Sequence, residues 1–121
     1  MALSVNPIID GVNASFKLGH GLILAVRDIT SSDVSVDYSG GFSIAALAAQ
    51  MGLSKILFFV QASIRTSAGV HRLLLPSWDV TNGKLMFGEN AAAVGAFDQV
   101  DPDTDIVDGD IIRVVVIGVG P

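Results

Sequence analysis

The chain has 121 residues, 7 Lys and Arg against 12 Asp and Glu, and a formal charge of −5. Half of it is hydrophobic and 16% is charged, which excludes a disordered chain and leaves room for one core. The acidic balance excludes a surface built to neutralise nucleic acid, and the absence of cysteine removes disulfides, thiolate metal sites and cysteine nucleophiles.

Thirteen glycines and a single Glu, Glu89, suit strands and turns better than helices. No basic segment followed by a long apolar run opens the chain, so no secretory leader is expected. The longest uncharged stretch, residues 38–54, contains three glycines and reads as loop plus short helix, so no membrane partner is expected.

Residues 1–20 carry the turn signals Asn6-Pro7 and Asp10-Gly11. Leu3, Val5, Ile8 and Ile9 are many apolar residues for a free terminus. They fit an edge strand, or an arm that docks on a neighbouring subunit. Residues 21–121 read as a single β-sandwich domain.

Leu22–Ile29 is a strand candidate. Asp33–Tyr38 alternates, with Val34, Val36 and Tyr38 on one face, and predicts a second strand joined to the first as a hairpin. Gly40-Gly41 breaks that pattern. From Ser43, a plausible N-cap, Ile44, Leu47, Ala48 and Met51 recur at helical spacing, and Gly52 stands where a left-handed cap belongs. One short α-helix is expected over about 43–51. Its outer face, Ala45, Ala46, Ala49 and Gln50, is uncharged, as if covered.

Lys55–Arg65 is the clearest strand, with Ile56, Phe58, Val60, Ala62 and Ile64 predicted inward and Leu57 and Phe59 outward. Val70–Leu75 reads as its hairpin partner. Asn82-Gly83 between two apolar-bearing runs predicts a tight type I′ hairpin, and Asp79 with Lys84 a cross-turn ion pair. Gly88–Ala93 reads as a loop tip and Val94–Val100 as a short strand. Ile111–Val119 is apolar on both faces, as in a central strand or one lying against another subunit. The whole predicts an all-β antiparallel sandwich of jelly-roll type. Its core is expected from Leu24, Val26, Val34, Val36, Leu47, Ile56, Phe58, Val60, Ile64, Val114 and Val116.

Chemistry is sparse. His20 and His71 have no metal-ligand spacing, and no nucleophile elbow or phosphate-binding loop occurs. Asp101, Asp103, Asp105, Asp108 and Asp110 cluster, but Ile106 and Ile112 occupy the positions where a calcium loop needs Gly and Glu. The cluster reads as a solvated acidic loop, with a looser calcium site of carboxylates and loop carbonyls as the alternative. No catalytic residue, cofactor or metal site is therefore expected, and the chain is not read as an enzyme.

A layout remains. Gly40-Gly41-Phe42-x-Ile44 opens the short helix that ends in Met51-Gly52-Leu53-Ser54-Lys55-Ile56. Asp79-x-x-Asn82-Gly83-Lys84-Leu85 follows, and an acidic segment then leads into Arg113-Val114-Val115-Val116-Ile117-Gly118. Over residues 21–119 this resembles small virion proteins of tailed bacteriophages, several of them capsid decoration (cement) proteins. The Gly88–Gly95 loop departs from the pattern. The resemblance implies a jelly-roll protein of the virion, assembled in the host cytoplasm and often a homotrimer, that bridges major capsid subunits. Candidate contact residues are Leu3, Val5, Ile8, Ile9, Leu57, Phe59, Val115 and Ile117, with no nucleic-acid or membrane partner. A phage tail or connector component and a carbohydrate- or ligand-binding sandwich module are the alternatives. Carbohydrate modules usually present several aromatics, and only Trp78 and Tyr38 stand here beside the phenylalanines.

Overall fold

The computed structural model describes residues 3–6, 14–90, 97–100 and 105–120. Among them the chain is mostly strand, in two antiparallel sheets packed on one hydrophobic core. The five-stranded sheet is ordered β1–β3–β9–β5, from β1 (Ser4–Asn6), β3 (Leu22–Thr30), β9 (Ile111–Val119) and β5 (Lys55–Arg65); β2 (Ala14–Gly19) also pairs with β3. The four-stranded sheet is ordered β4–β7–β6, from β4 (Phe42–Ser43), β7 (Lys84–Asn90) and β6 (Leu75–Asp79), and β8 (Phe97–Gln99) also pairs with β7. The all-β sandwich expected from the turn-punctuated apolar runs is the fold observed.

β9 is central. It lies between β3 and β5, and its residues alternate fully buried and half-buried. Ile112, Val114 and Val116 point into the core. Antiparallel partners share a face, so Ile29, Arg27 and Ala25 of β3 lie on the same inner side. That corrects the expected core residues Leu24 and Val26, which are half-buried on the opposite face. The apolar alternation of β3 was even on both sides, so periodicity alone did not distinguish them.

β5 has the predicted ends but not the predicted faces. Its register against β9 shifts twice, between Ile56 and Phe58 and between Phe59 and Gln61. Each shift inserts one residue without a partner, and each reverses the parity of the strand. The inner face is therefore Ile56, Phe59, Ala62 and Ile64, opposite Gly118, Val116, Val114 and Ile112. Phe58 (59% exposed) and Val60, both expected in the core, point outward. Phe59, expected outward, packs against the core and stacks on Trp78 with ring centroids 5.3 Å apart.

Asp33–Tyr38 is not a strand. Val34–Asp37 forms a single α-helical turn, α1, that buries Val34 and Tyr38 and leaves Val36 60% exposed, so Val36 is not a core residue. The expected hairpin with β3 is accordingly absent. Asp108 Oδ1 accepts the Val34 N–H at 2.7 Å, and Ser31 Oγ donates to Asp37 at 2.7 Å. These bonds satisfy the turn from outside its own segment.

The predicted helix occurs as a 3-10 helix, Ala45–Met51. Ser43 belongs to β4 and caps nothing; the Ala45 N–H is taken by the Gly83 carbonyl instead. Leu47, Ala48 and Met51 are buried, and Ala45, Ala46, Ala49 and Gln50 are exposed, as the spacing predicts. Gly52 is left-handed, at φ 77°.

The β6–β7 hairpin is closed by four residues, Val80–Gly83, rather than the two of a type I′ turn. Asp79 Oδ1 accepts the N–H groups of Thr81 and Asn82, and Asn82 Nδ2 donates to Asp79 Oδ2. These bonds, led by that from the Asn82 side chain, hold the Asp79 carboxyl below its ordinary range. Lys84 Nζ donates to the Ser39 carbonyl at 2.6 Å. Only Gly83 in this turn has positive φ, 66°, and a Cβ there would meet Ala45 Cβ at 2.5 Å. Gly83→Val is thus doubly penalised, by backbone strain and by collision with the 3-10 helix. A melting temperature lower by about 6–12 °C is expected, from roughly 2 kcal/mol at about 3–6 °C each for a chain of this size; an unchanged value would contradict this geometry.

The return from β5 is also shorter than predicted. Only His71 bridges to Arg65 before the chain crosses to the other sheet as β6, with Pro76 on that sheet's edge. β7 continues to Asn90 through part of the expected loop tip; residues 91–96 lie outside the described residues.

Candidate functional site

The outer face of the five-stranded sheet is apolar over four strands. Register places Phe16 of β2, Leu24 of β3, Ile117 of β9 and Phe58 of β5 in one row. Val26 and Val115 form the next row, which ends on the exposed Gln61 of β5, and Leu22 with Val119 the row on the other side. Phe16 is 56% exposed, and Leu18, Leu57 and Val60 are exposed as well. A fully buried phenylalanine covers roughly 150–250 Å², so the two rings alone leave about 200 Å² of apolar surface in solvent. With the neighbouring rows this reaches the patch size that marks interaction sites on soluble proteins.

An ion cluster bounds the apolar rows at one end. Asp28 is fully buried. It accepts two bonds from Arg113, at 2.8 and 3.1 Å, and one from Arg65 at 3.3 Å. The three side chains come from β3, β9 and β5, so cations dispersed in sequence converge in space. Lys55, paired with Val119, stands at the other end of the face.

The predicted contact residues divide. Val115 and Ile117 are on this face, half-buried, and Leu57 is an exposed residue at the first register shift of β5. Phe59 is on the inner side. Leu3 is buried in the chain's own core, which corrects its reading as an outward contact. Val5 lies in β1, opposite Ile29. Ile8 and Ile9 lie outside the described residues. Phe16 and Phe58, the two most exposed aromatics here, were missed as contact residues. Phe58 was assigned inward because the double register shift leaves no trace in the residue pattern.

One cation of the inner face is buried. Arg27 is buried and donates to the Val26 carbonyl, to Ser15 Oγ and to the Met51 carbonyl at the end of the 3-10 helix. Burial lowers its pKa, yet a guanidinium stays charged in proteins. Its bond to the helix C-terminus favours that charge.

Within the acidic segment, described from Asp105 onward, the carboxylates serve structure. Asp108 holds α1, and Asp110, buried, pairs with Arg72 at 2.6 and 3.1 Å and accepts the Val107 N–H. Among the described residues no three His, Asp or Glu side chains are grouped to hold a metal ion. Asp101 and Asp103 lie outside the described residues.

Comparison with protein-family models, with curated proteins and with solved structures finds no match for the chain.

Proposed function

We propose that this chain is a structural, non-catalytic assembly protein, and that it decorates the head of a tailed bacteriophage by bridging major capsid subunits. The observation that carries the assembly role is the outer sheet face, whose rows run Phe16, Leu24, Ile117, Phe58 and Val26, Val115. A sheet buried on one side normally turns polar residues to water on the other. Apolar residues on both sides fit a sheet that is covered by another chain. The phage-specific part of the reading, with its jelly-roll connectivity and homotrimeric state, rests on the resemblance over residues 21–119.

The carbohydrate-binding alternative fits less well. Trp78 is half-buried and stacked on Phe59, and Tyr38 is buried with its hydroxyl on the Phe87 backbone. Neither ring is presented as a sugar platform.

Light scattering on the purified chain should report three chains per particle. The chain should also co-sediment with heads of the tailed phage whose genome carries this sequence. A monomer that ignores those heads would sink the decoration reading.

A further inference from the structure

The five-stranded sheet is open at both ends over the same rows. Among the described residues no strand pairs with the free side of β2, and from Lys55 to Gln61 β5 pairs with β9 alone. Further along, the edge of β5 is taken: Arg65 bridges to His71, and the Arg72 N–H donates to the Ile64 carbonyl. Register sets the two open stretches at one height. Gly19, Leu22, Val119 and Lys55 share one row, Phe16, Leu24, Ile117 and Phe58 the next, and Ala14, Val26, Val115 and Gln61 a third. Phe16 and Phe58, 56% and 59% exposed, therefore stand at the two free ends of one apolar row. An unpaired strand edge is a template for a strand of another chain. Residues 56–64 hold no charge, proline or glycine to deter one.

We propose that the free edge of β5 pairs with β2 of a second copy, and that three copies close in this way into a triangular prism. The apolar faces of their five-stranded sheets turn toward its axis. This rests on the assembly reading above and specifies the contact of its homotrimer. Strand direction permits the pairing. β2, β3, β9 and β5 are antiparallel in turn, so β2 and β5 run oppositely. A copy rotated about an axis along the strands thus offers its β2 antiparallel to β5. Antiparallel partners share a face, so Phe16 of one copy continues the row that ends on Phe58 of the other.

The dimensions favour three copies. Four strands at about 4.8 Å make a side roughly 19 Å wide, and the sides of a three-sided prism of that width lie about 5.5 Å from its axis. That is close to half of the roughly 10 Å between packed sheets, so the side chains of the face fill the interior. Four copies would set each side about 10 Å from the axis and leave an open channel between apolar walls. Pairing β5 with β5 of another copy about a two-fold axis would leave β2 and the whole apolar face in water. The register shifts at Leu57 and Val60 suit a corner between two sides, because a bulged strand bends. Lys55, in the end row, carries its ammonium out to water at the mouth of the prism. The contact joins two different edges and closes on itself, so it hides the apolar faces without growing into a fibre.

The chain has no cysteine, so introduced thiols report this contact alone. Within one chain Phe16 and Phe58 are three strand spacings apart, about 14 Å, too far for a disulfide. A chain carrying both Phe16→Cys and Phe58→Cys, oxidised with diamide, should give covalent species of two and three chains and none longer on a non-reducing denaturing gel. Neither single variant should cross-link alone, and the two mixed should give a species of two chains. Both positions are exposed, so melting temperatures near the wild-type value should show that each variant folds. The wild type supplies a second measurement: in the assembled chain, amides of residues 55–61 that do not bond β9 should exchange slowly with solvent deuterium. Cross-linking of Phe58→Cys by itself, a ladder beyond three chains, no cross-link in the mixture, or fast exchange along 55–61 would each overturn this contact and leave the assembly reading standing. A monomeric wild-type chain would also overturn the contact, and one that fails to bind heads as well would overturn both.

Discussion

Replacing Phe42 by Ala is expected to cost about 3–5 kcal/mol, the range for a phenylalanine truncated in a closed core. Phe42 has no exposed surface. The Tyr38 ring meets it edge-on at 4.8 Å and the Phe87 ring at 6.5 Å, so it fills the middle of an aromatic trio. The cavity cannot close easily. Tyr38 Oη accepts the Phe87 N–H at 2.9 Å and donates to the Phe87 carbonyl at 3.3 Å, which pins two of the walls. Phe58→Ala is the matched control, with the same side chain and the same change at an exposed site. It should cost less than about 1 kcal/mol in the monomer, as surface substitutions do. Denaturant unfolding at low protein concentration measures both. Equal costs would mean that β5 keeps an unbroken alternation after all, with Phe58 inside.

This pair of phenylalanines shows where the sequence was legible. The ends of β5 and β9 are written in their apolar runs, and the buried side of the 3-10 helix is written in its spacing. These are local patterns read by local rules. The faces of β5 were not legible, because a bulge is decided by pairing with β9 and reverses parity without changing a residue. α1 was misread for a related reason. Val34, Ser35, Val36 and Asp37 alternate as a strand would, but a helical turn wins once the carboxylate of Asp108 takes the Val34 N–H. That partner is 74 residues away, and no window along the chain contains both.

The candidate site was half legible. Val115 and Ile117 follow from a strand apolar on both sides. The cationic ends of the face do not, because Arg65 and Arg113 look scattered until register places them beside Asp28. The acidic segment gives the converse case. It reads as one solvated cluster, yet Asp108 and Asp110 are spent on α1 and on Arg72. Charge in this chain is organised across strands rather than along them, and single-sequence reading sees only the latter.

Asp28→Ala should therefore be among the most damaging single changes, at about 3–5 kcal/mol, because it breaks a buried ion cluster by removing one sign only. The carboxylate is fully buried, and three bonds from two guanidiniums hold it. Without it, Arg65 and Arg113 lose the carboxylate that they share between β5 and β9. Arg113 keeps 34% of its side chain in solvent and Arg65 16%, and this partial hydration places the cost toward the lower end of that range. Removing all three charges is different. The triple variant Asp28→Leu, Arg65→Met, Arg113→Leu should recover most of the stability, since well-packed apolar replacements of a buried ion cluster are often neutral or better. The triple variant should fold like the wild type in denaturant. A loss below about 1 kcal/mol for Asp28→Ala would mean that the cluster is not closed to water. A triple variant as unstable as the single one would mean that the charges, and not merely their balance, hold β3, β9 and β5 together.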